Sequence, residues 1–316
     1  MILASAPALP PTDEPEPQPP PRALHALQVT WTAAGRTWDL TDPASPVRRL
    51  KGQSGTGITD DEAWWSSASQ LPGSTLVGGR TPAGEEYMNL GVLADDSPSF
   101  LLEHEAFKRG LISTSAARGP GAAGVIRYIR PDGSWREARA HYRSGLATAS
   151  MEIDPVLACY AVHGITWDLP DPFWRGEPIE PEPFAYEVPA PFFPGPPWSI
   201  GSSQALGSAS IVNPGDEDSF ARWRITGPFT SFSVGLGSAV ASMTLTKTAG
   251  QWVEIDMSPT ALTVLDESGT DRWTALTAAE FAGIPPGESE LVTVVNGAGV
   301  GSSAALSFTP LYRAAW

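Results

Sequence analysis

Residues 171–197, DPFWRGEPIEPEPFAYEVPAPFFPGPP, divide the chain. Proline recurs there at nearly every second or third position. Each proline fixes φ and lacks an amide donor, so a helix or a central strand is excluded. Such a run predicts extended polyproline II, a semi-rigid spacer. Its glutamates, Glu177, Glu180, Glu182 and Glu187, stand against one base, Arg175. It also carries Phe173, Trp174, Phe184, Tyr186, Phe192 and Phe193. Unstructured linkers are poor in aromatics. The expectation is a strap, stiffened by proline and pinned by its rings. Trp174, Phe184, Tyr186, Phe192 and Phe193 are its candidate contacts with another subunit or partner. Four parts follow: a proline-rich acidic arm at 1–22, a first domain at 23–176, the strap at 177–197 and a second domain at 198–316.

The chain has 316 residues, enough for about two domains. Apolar residues make up 41%, so sizeable cores are available, whereas charged residues are 17%, below the roughly 25% of an ordinary soluble domain. Gly 31 and Pro 32 fit short strands joined by tight turns. A net charge of −15 argues against specific nucleic-acid binding, which needs excess Lys and Arg to displace counterions. Cys159 is the single cysteine, which excludes an intrachain disulfide and is read as a small core residue. MILASAPALPP at the start lacks a positive n-region, and its apolar run is too short for a signal peptide. No apolar run approaches the roughly 18 residues of a membrane-spanning helix, so no membrane partner is expected. Residues 5–22 read as an extended arm lying on another surface.

Leu27, Val29 and Trp31 alternate with polar residues, and RTWDLTD follows across Gly35, predicting two strands. GQSGTG at 52–57 resembles a phosphate loop only in its glycines. No Gly-Lys-Ser/Thr follows, and Asp60, Asp61 and Glu62 repel phosphate, so a flexible or bulged loop is expected. AWWSS and STLVGGR surround the Pro72-Gly73 turn, and EEYMNLGVLA at 85–94 predicts a further strand. A helix is expected over 98–110, capped by Ser97, started by Pro98 and ended by Gly110. Phe100, Leu101, His104, Phe107 and Leu111 form its expected buried face. GVIRYIR and SWREARAHYR flank Pro131-Asp132-Gly133, a hairpin signature. That hairpin holds Arg127, Arg130, Arg136, Arg139 and Arg143. Two readings stand for them: a basic face docking on an acidic partner, or a solvated outer face. After the strap, ARWRITG, TLTKT, WVEIDM, TVLD, LVTVVN and ALSFTPLY are separated by turn signals, which predicts a sandwich or jelly roll.

No catalytic constellation is evident. GxSxG is absent, and His25, His104, His141 and His163 show no paired metal-ligand spacing. Acidic pairs occur at Asp95-Asp96 and in Asp216-Glu217-Asp218, the latter lacking EF-hand spacing. No cofactor or metal is expected.

Several motifs resemble those of the distal tail proteins of siphophages. They are Trp38-Asp39-Leu40, Gly52 to Gly57, Pro72-Gly73, Gly79-Arg80 and Asp171-Pro172-Phe173-Trp174-Arg175-Gly176 in the first half. In the second half they are Asn213-Pro214-Gly215-Asp216, Ile225-Thr226-Gly227-Pro228-Phe229, Ile284-Pro285-Pro286-Gly287-Glu288 and the ending Tyr312-Arg313-Ala314-Ala315-Trp316. The resemblance covers roughly 27–316, and the acidic arm departs from it. It implies a mainly β protein: a tail-tube-like β-barrel or sandwich domain with one α-helix, then a galectin-like β-sandwich. It further implies a non-enzymatic virion protein, made in the host cytoplasm, whose homo-oligomeric ring of six copies ends the tail. Its partners would be the tail tube protein, the tip hub or central fibre protein and, as a further candidate, the tape measure protein. Two other functions stay open: a carbohydrate-binding adhesion module, and a tail-associated glycan hydrolase using paired carboxylates.

Overall fold

The structure, a computed structural model, describes residues 26–67, 72–148, 153–186, 204–205 and 208–316. The arm at 1–22 and Phe192 and Phe193 lie outside the described residues. The first domain contains β1 (Gln28–Ala33), β2 (Arg36–Asp39), β3 (Val47–Arg49), β4 (Glu62–Ser66), β5 (Thr75–Arg80) and β6 (Gly84–Leu93). Helix α1 (Ser97–Ser113) follows, then β7 (Gly124–Ile129), β8 (Trp135–Ser144), the short α2 (Pro155–Ala158) and β9 (Tyr160–Leu169). The strands order β2-β1-β7-β8-β9-β6-β3. The Arg49 amide, at the end of β3, donates to Leu40 O just beyond β2 at 2.7 Å, so the sheet curls into a nearly closed barrel. Alternation decides what faces inward. On β6, Met88, Leu90 and Val92 are buried while Glu85 is exposed and Tyr87 and Asn89 are half-buried.

Inside, Trp31 stacks on Trp38 at 4.9 Å, and Phe107 of α1 meets Trp31 edge-on at 5.7 Å. Removing a buried ring of this kind costs about 3–5 kcal/mol. The helix differs from the sequence reading in three ways. Asp96, not Ser97, is its N-cap, accepting from the Ser99 amide at 2.7 Å. It continues past Gly110 to Ser113. Leu101 points outward and is exposed rather than buried. Gly110 is not a terminator: a Cβ there would lie 2.8 Å from Trp38 and 3.0 Å from Trp31. Its missing side chain lets the helix seat on the tryptophan pair. The GQSGTG loop is likewise tight, because a Cβ on Gly55 would meet Glu85 O at 1.9 Å.

The second domain is a β-sandwich, as its strand spacing predicts. The link from the first domain carries β10 (Trp174–Arg175) and β11 (Phe184–Ala185). Then come β12 (Gln204–Ala205), β13 (Ser208–Asn213), β14 (Arg222–Thr226), β15 (Phe229–Leu236), β16 (Ala239–Lys247) and β17 (Trp252–Asp256). The last are β18 (Thr263–Asp266), β19 (Leu276–Ala279), β20 (Gly287–Asn296), β21 (Ser303–Ser307) and β22 (Leu311–Tyr312). One sheet orders β11-β21-β14-β17-β18, the other β12-β20-β15-β16-β19 with β13 also on β20. Trp223, Ile225, Phe232, Val234, Met243, Val253, Ile255 and Val295 fill the space between them.

The strap is where the structure departs most from the sequence reading. Its described residues, up to Tyr186, are not a free spacer between two independent domains. Residues 174–186 run antiparallel to 302–312 as a two-stranded ribbon. Trp174 pairs with Tyr312 and Arg175 with Leu311. Gly176 N donates to Pro310 O at 2.9 Å, Ile179 and Phe308 exchange both backbone bonds, and Phe184 pairs with Ala304. Tyr186 N donates to Ser302 O at 3.0 Å. Pro178, Pro181 and Pro183 donate nothing, and they fall in the sparsely bonded middle of the ribbon, where proline is tolerated. The division at 177 therefore shifts: Ile179, Phe184 and Tyr186 pack on the sandwich core. Conversely β22, near the end of the chain, pairs with β10, which also pairs with β8 of the barrel.

A buried carboxyl sits in the barrel interior. Glu86 on β6 is fully inaccessible. Its Oε1 accepts from the Tyr128 hydroxyl at 2.8 Å and from Gln53 at 3.1 Å, while Oε2 has no partner among the described residues. Arg49 donates to the Gln53 amide oxygen at 2.6 Å. Burial raises this carboxyl to about 7, against the pull of Tyr128, Gln53 and Arg49. Burial first, then Glu86, also raises the Tyr128 phenol. Tyr128 in turn meets Trp174 edge-on at 5.2 Å, placing the acid beneath the start of the ribbon.

Two predictions follow from the barrel. Gly110→Ala gains about 1 kcal/mol of helix propensity but overpacks two stacked indoles, at a cost of about 1–3 kcal/mol. Neither ring has room to retreat, so the net effect is destabilising, read as a lower urea midpoint. An unchanged or higher midpoint would show that the helix shifts freely. Glu86 holds its proton more tightly folded than unfolded, so its contribution is complete below about 4.5 and is lost as pH rises through about 7. Stability then falls between pH 5 and pH 8, by an amount on the order of 3 kcal/mol. Glu86→Gln removes that slope in paired denaturation curves, and a slope that survives the substitution would assign it elsewhere.

Candidate assembly surfaces

Among the described residues β4 and β5 pair only with each other, as a two-stranded sheet separate from the barrel sheet. None of their residues is buried. Trp64 is 52% exposed, Trp65 61%, Leu76 55% and Val77 69%. A β-bulge between Trp64 and Trp65 accompanies the register Trp64–Gly78 and Trp65–Leu76. Trp64 lies over Gly78, where a Cβ would come 3.2 Å from the ring. Glu62 and Arg80 form a 2.8 Å ion pair at the open end. The hairpin is thus apolar on both faces and has two unpaired edges. An isolated two-stranded hairpin is marginal in water, and contiguous exposed apolar surface marks an interaction site. Sequence reasoning noted Trp64-Trp65 but assigned it no role. The available signal is alternation: two adjacent tryptophans in a strand cannot both face one core.

Outward apolar side chains also stand on the helices. Leu101, Leu102 and Ile112 are exposed at different points along α1, and Leu157 is exposed on α2. The same chain therefore carries an apolar protrusion and a separate apolar face.

The five arginines of the β7–β8 hairpin do not act as one basic face. Arg127 pairs with Glu137 at 2.7 Å and lies 4.2 Å over the Trp135 ring. Arg143 pairs with Glu85 and Asp168, which raise its pKa. Arg136 turns to the ribbon, lying 3.7 Å over Tyr312 and donating to Ala314 O at 2.8 Å. Burial, then Arg130, lowers its pKa. Arg130 and Arg139 have no ion pair among the described residues, and Arg139 is exposed. Of the strap aromatics, Trp174 is buried in the barrel core, so its ring is spent within the chain rather than on a partner. Phe184 stacks at 6.5 Å on Trp223, and Tyr186 packs on the same sandwich core.

The titratable groups are engaged in structure. His104 and His163, distant in sequence, meet Nε2 to Nε2 at 2.9 Å with rings stacked 5.1 Å apart. Burial, then His104 and Lys108, lowers His163 to about 4, and burial followed by Lys108 lowers His104. Both are neutral at pH 7, so one donates and the other accepts. Among the described residues no three His, Cys, Asp or Glu side chains gather as metal ligands. Asp61 accepts from Thr81, which together with Arg313 lowers its pKa. Glu217 pairs with Arg313, and Asp96 caps α1. These carboxylates hold structural partners instead of facing one another across a cleft. A sugar site stacks an exposed aromatic on the ring, but in the sandwich Trp223 is buried and Trp252 has Arg224 4.4 Å over its ring. Trp273 is 39% exposed and tilts against Phe281 at 5.8 Å.

No family model matches the chain, and no curated protein sequence matches it. Solved structures do. The crystal structure of the Dit protein (gp 19.1) of phage SPP1, described as a paradigm of the hub adsorption apparatus in phages infecting Gram-positive hosts, superposes with a TM-score of 0.60. Identity is 14%, over 90% of this chain and 98% of that one. The baseplate of phage P2 in its activated, calcium-containing conformation contains a chain matching with a TM-score of 0.52 at 11% identity, over 90% and 98% of the two chains. Over nine tenths of its length the chain thus has the fold seen in a phage Dit protein.

Proposed function

We propose that the chain is a structural virion protein forming a ring at the distal end of a long non-contractile phage tail. The ring joins the tail tube protein to the tip hub or central fibre protein, with the tape measure protein as a further neighbour. The observation that carries the assembly reading is the β4–β5 hairpin, whose tryptophans and aliphatic side chains are solvent-exposed in the single chain. The fold likeness to SPP1 Dit supports the location at the tail tip. A protrusion on one side and an apolar helix face elsewhere are unlike patches, which favours head-to-tail contact between copies. Such heterologous contacts generate a ring when the rotation between copies closes. Six copies, and a galectin-like character for the sandwich, belong to this proposal. Arg130 and Arg139 remain candidate partner contacts. The sugar-binding alternative is the weaker one, because Arg224 already occupies a face of Trp252.

In the full chain, Trp64→Ser with Trp65→Ser should abolish higher-order species in light scattering. It should leave the unfolding free energy of the monomer within about 0.5 kcal/mol, as for exposed sites in general. Unaltered oligomers in that variant would remove the hairpin from the interface. Immunogold labelling of intact particles checks the location: label at the distal tip is expected, and label along the tube or at the head would refute it.

A further inference from the structure

Residues 310–315 touch both folded units. On the barrel side, Leu311 and Tyr312 pair with Arg175 and Trp174, Ala315 is fully buried in the barrel core, and its amide donates to Thr56 O at 3.0 Å. On the sandwich side, the Asp216 and Glu217 amides donate to Leu311 O at 2.8 and 3.2 Å, and the Arg313 amide donates to Asp216 Oδ2 at 3.1 Å. The Arg313 guanidinium spans the joint. It pairs with Glu217 of the sandwich and, at 3.1 Å, with Asp61 of the barrel.

Asp61 immediately precedes β4. Its other oxygen accepts from the Thr81 hydroxyl at 2.6 Å, and Thr81 immediately follows β5. Both roots of the exposed hairpin therefore meet at one carboxylate, and Arg313 holds that carboxylate. The Thr56 carbonyl, five residues before Asp61, is held by Ala315 of the same tail. A half-exposed ion pair alone contributes little. Here the pair sits in a continuous network of backbone and side-chain bonds, and networks exceed the sum of their pairs.

We propose that Arg313 is a positioning residue that couples the footing of the β4–β5 hairpin to the orientation of the sandwich. Opening this clamp at either end loosens the other. The coupling is a property of the single chain and does not rest on the ring. If the hairpin docks in an assembly, the same link carries that event to the sandwich.

Hydrogen exchange on the full-length chain tests this. Asp61→Asn removes only the barrel end of the clamp. It should raise exchange about tenfold at the amides of 215–217, across the joint, while β6 and β9 stay protected. Arg313→Gln should raise exchange both there and in the hairpin strands. A change in Asp61→Asn confined to the hairpin and its roots would show a local role and overturn the proposal, as would no change at 215–217 in Arg313→Gln. If Arg313→Gln also exposes β6 and β9, the Asp61→Asn result decides.

Discussion

The antiparallel pairing of residues 174–186 with 302–312 is the constraint on which the rest of the architecture depends. A strap attached at its ends would leave barrel and sandwich to move independently. A hydrogen-bonded ribbon with an aromatic side chain locked into each core does not. Trp174 enters the barrel core and meets Tyr128, while Phe184 stacks on Trp223 in the sandwich. The ends of the ribbon are thus anchored in two different hydrophobic cores, and the chain crosses between domains twice in opposite directions. Domain exchange of this kind makes the border a shared structure.

The barrel shows how unlike demands are met in one small core. Two stacked tryptophans and Phe107 pack together within it, and Gly110 gives up its side chain so that the helix approaches the tryptophans. Polar groups are also enclosed: Glu86 with Tyr128 and Gln53, and His104 with His163. Burial drives each toward its neutral form, raising the carboxyl and lowering the imidazoles. The barrel is therefore most comfortable when Glu86 is protonated and the histidines are not, a combination that mildly acidic solution allows. By contrast, apolar side chains on the β4–β5 hairpin remain in water, which is the signature of a surface whose partner lies outside the chain.

Much of the fold was legible in the sequence. Alternation in LQVTWTA, EEYMNLGVLA and ARWRITG marks strands because a sheet presents successive side chains to opposite faces. The Pro131-Asp132-Gly133 turn marks a hairpin because its residues suit a tight reversal. The helix was legible in position but not in extent. Gly110 reads locally as a terminator, and only the tryptophans above it show that close approach is its role. Leu101 was misplaced for a related reason: a helix whose outer stripe is also apolar has no unique buried face. Some readings fall outside the described residues, among them the arm at 1–22 and Phe192 and Phe193.

The surfaces were less legible, for a physical reason. Arg127, Arg136 and Arg143 cluster along the chain, but their partners, Glu137, Ala314 and Asp168, arrive from across a sheet or from the far end of the sequence. Pairing through space cancels a charge pattern that looks basic in one dimension. The same holds for His104 and His163, and for Arg313, which bridges Asp61 and Glu217. By itself the sequence determined a charge-poor, two-domain β protein with one long helix and a proline-rich junction, because those features follow from local stereochemistry and from composition. Tertiary structure alone decided that the junction is a ribbon, that Trp64 and Trp65 face solvent, and that the end of the chain clamps both domains. The ribbon and the clamp depend on contacts between residues far apart in the chain, such as Arg313 with Glu217 and with Asp61, 96 and 252 positions away, whose energies no local pattern encodes.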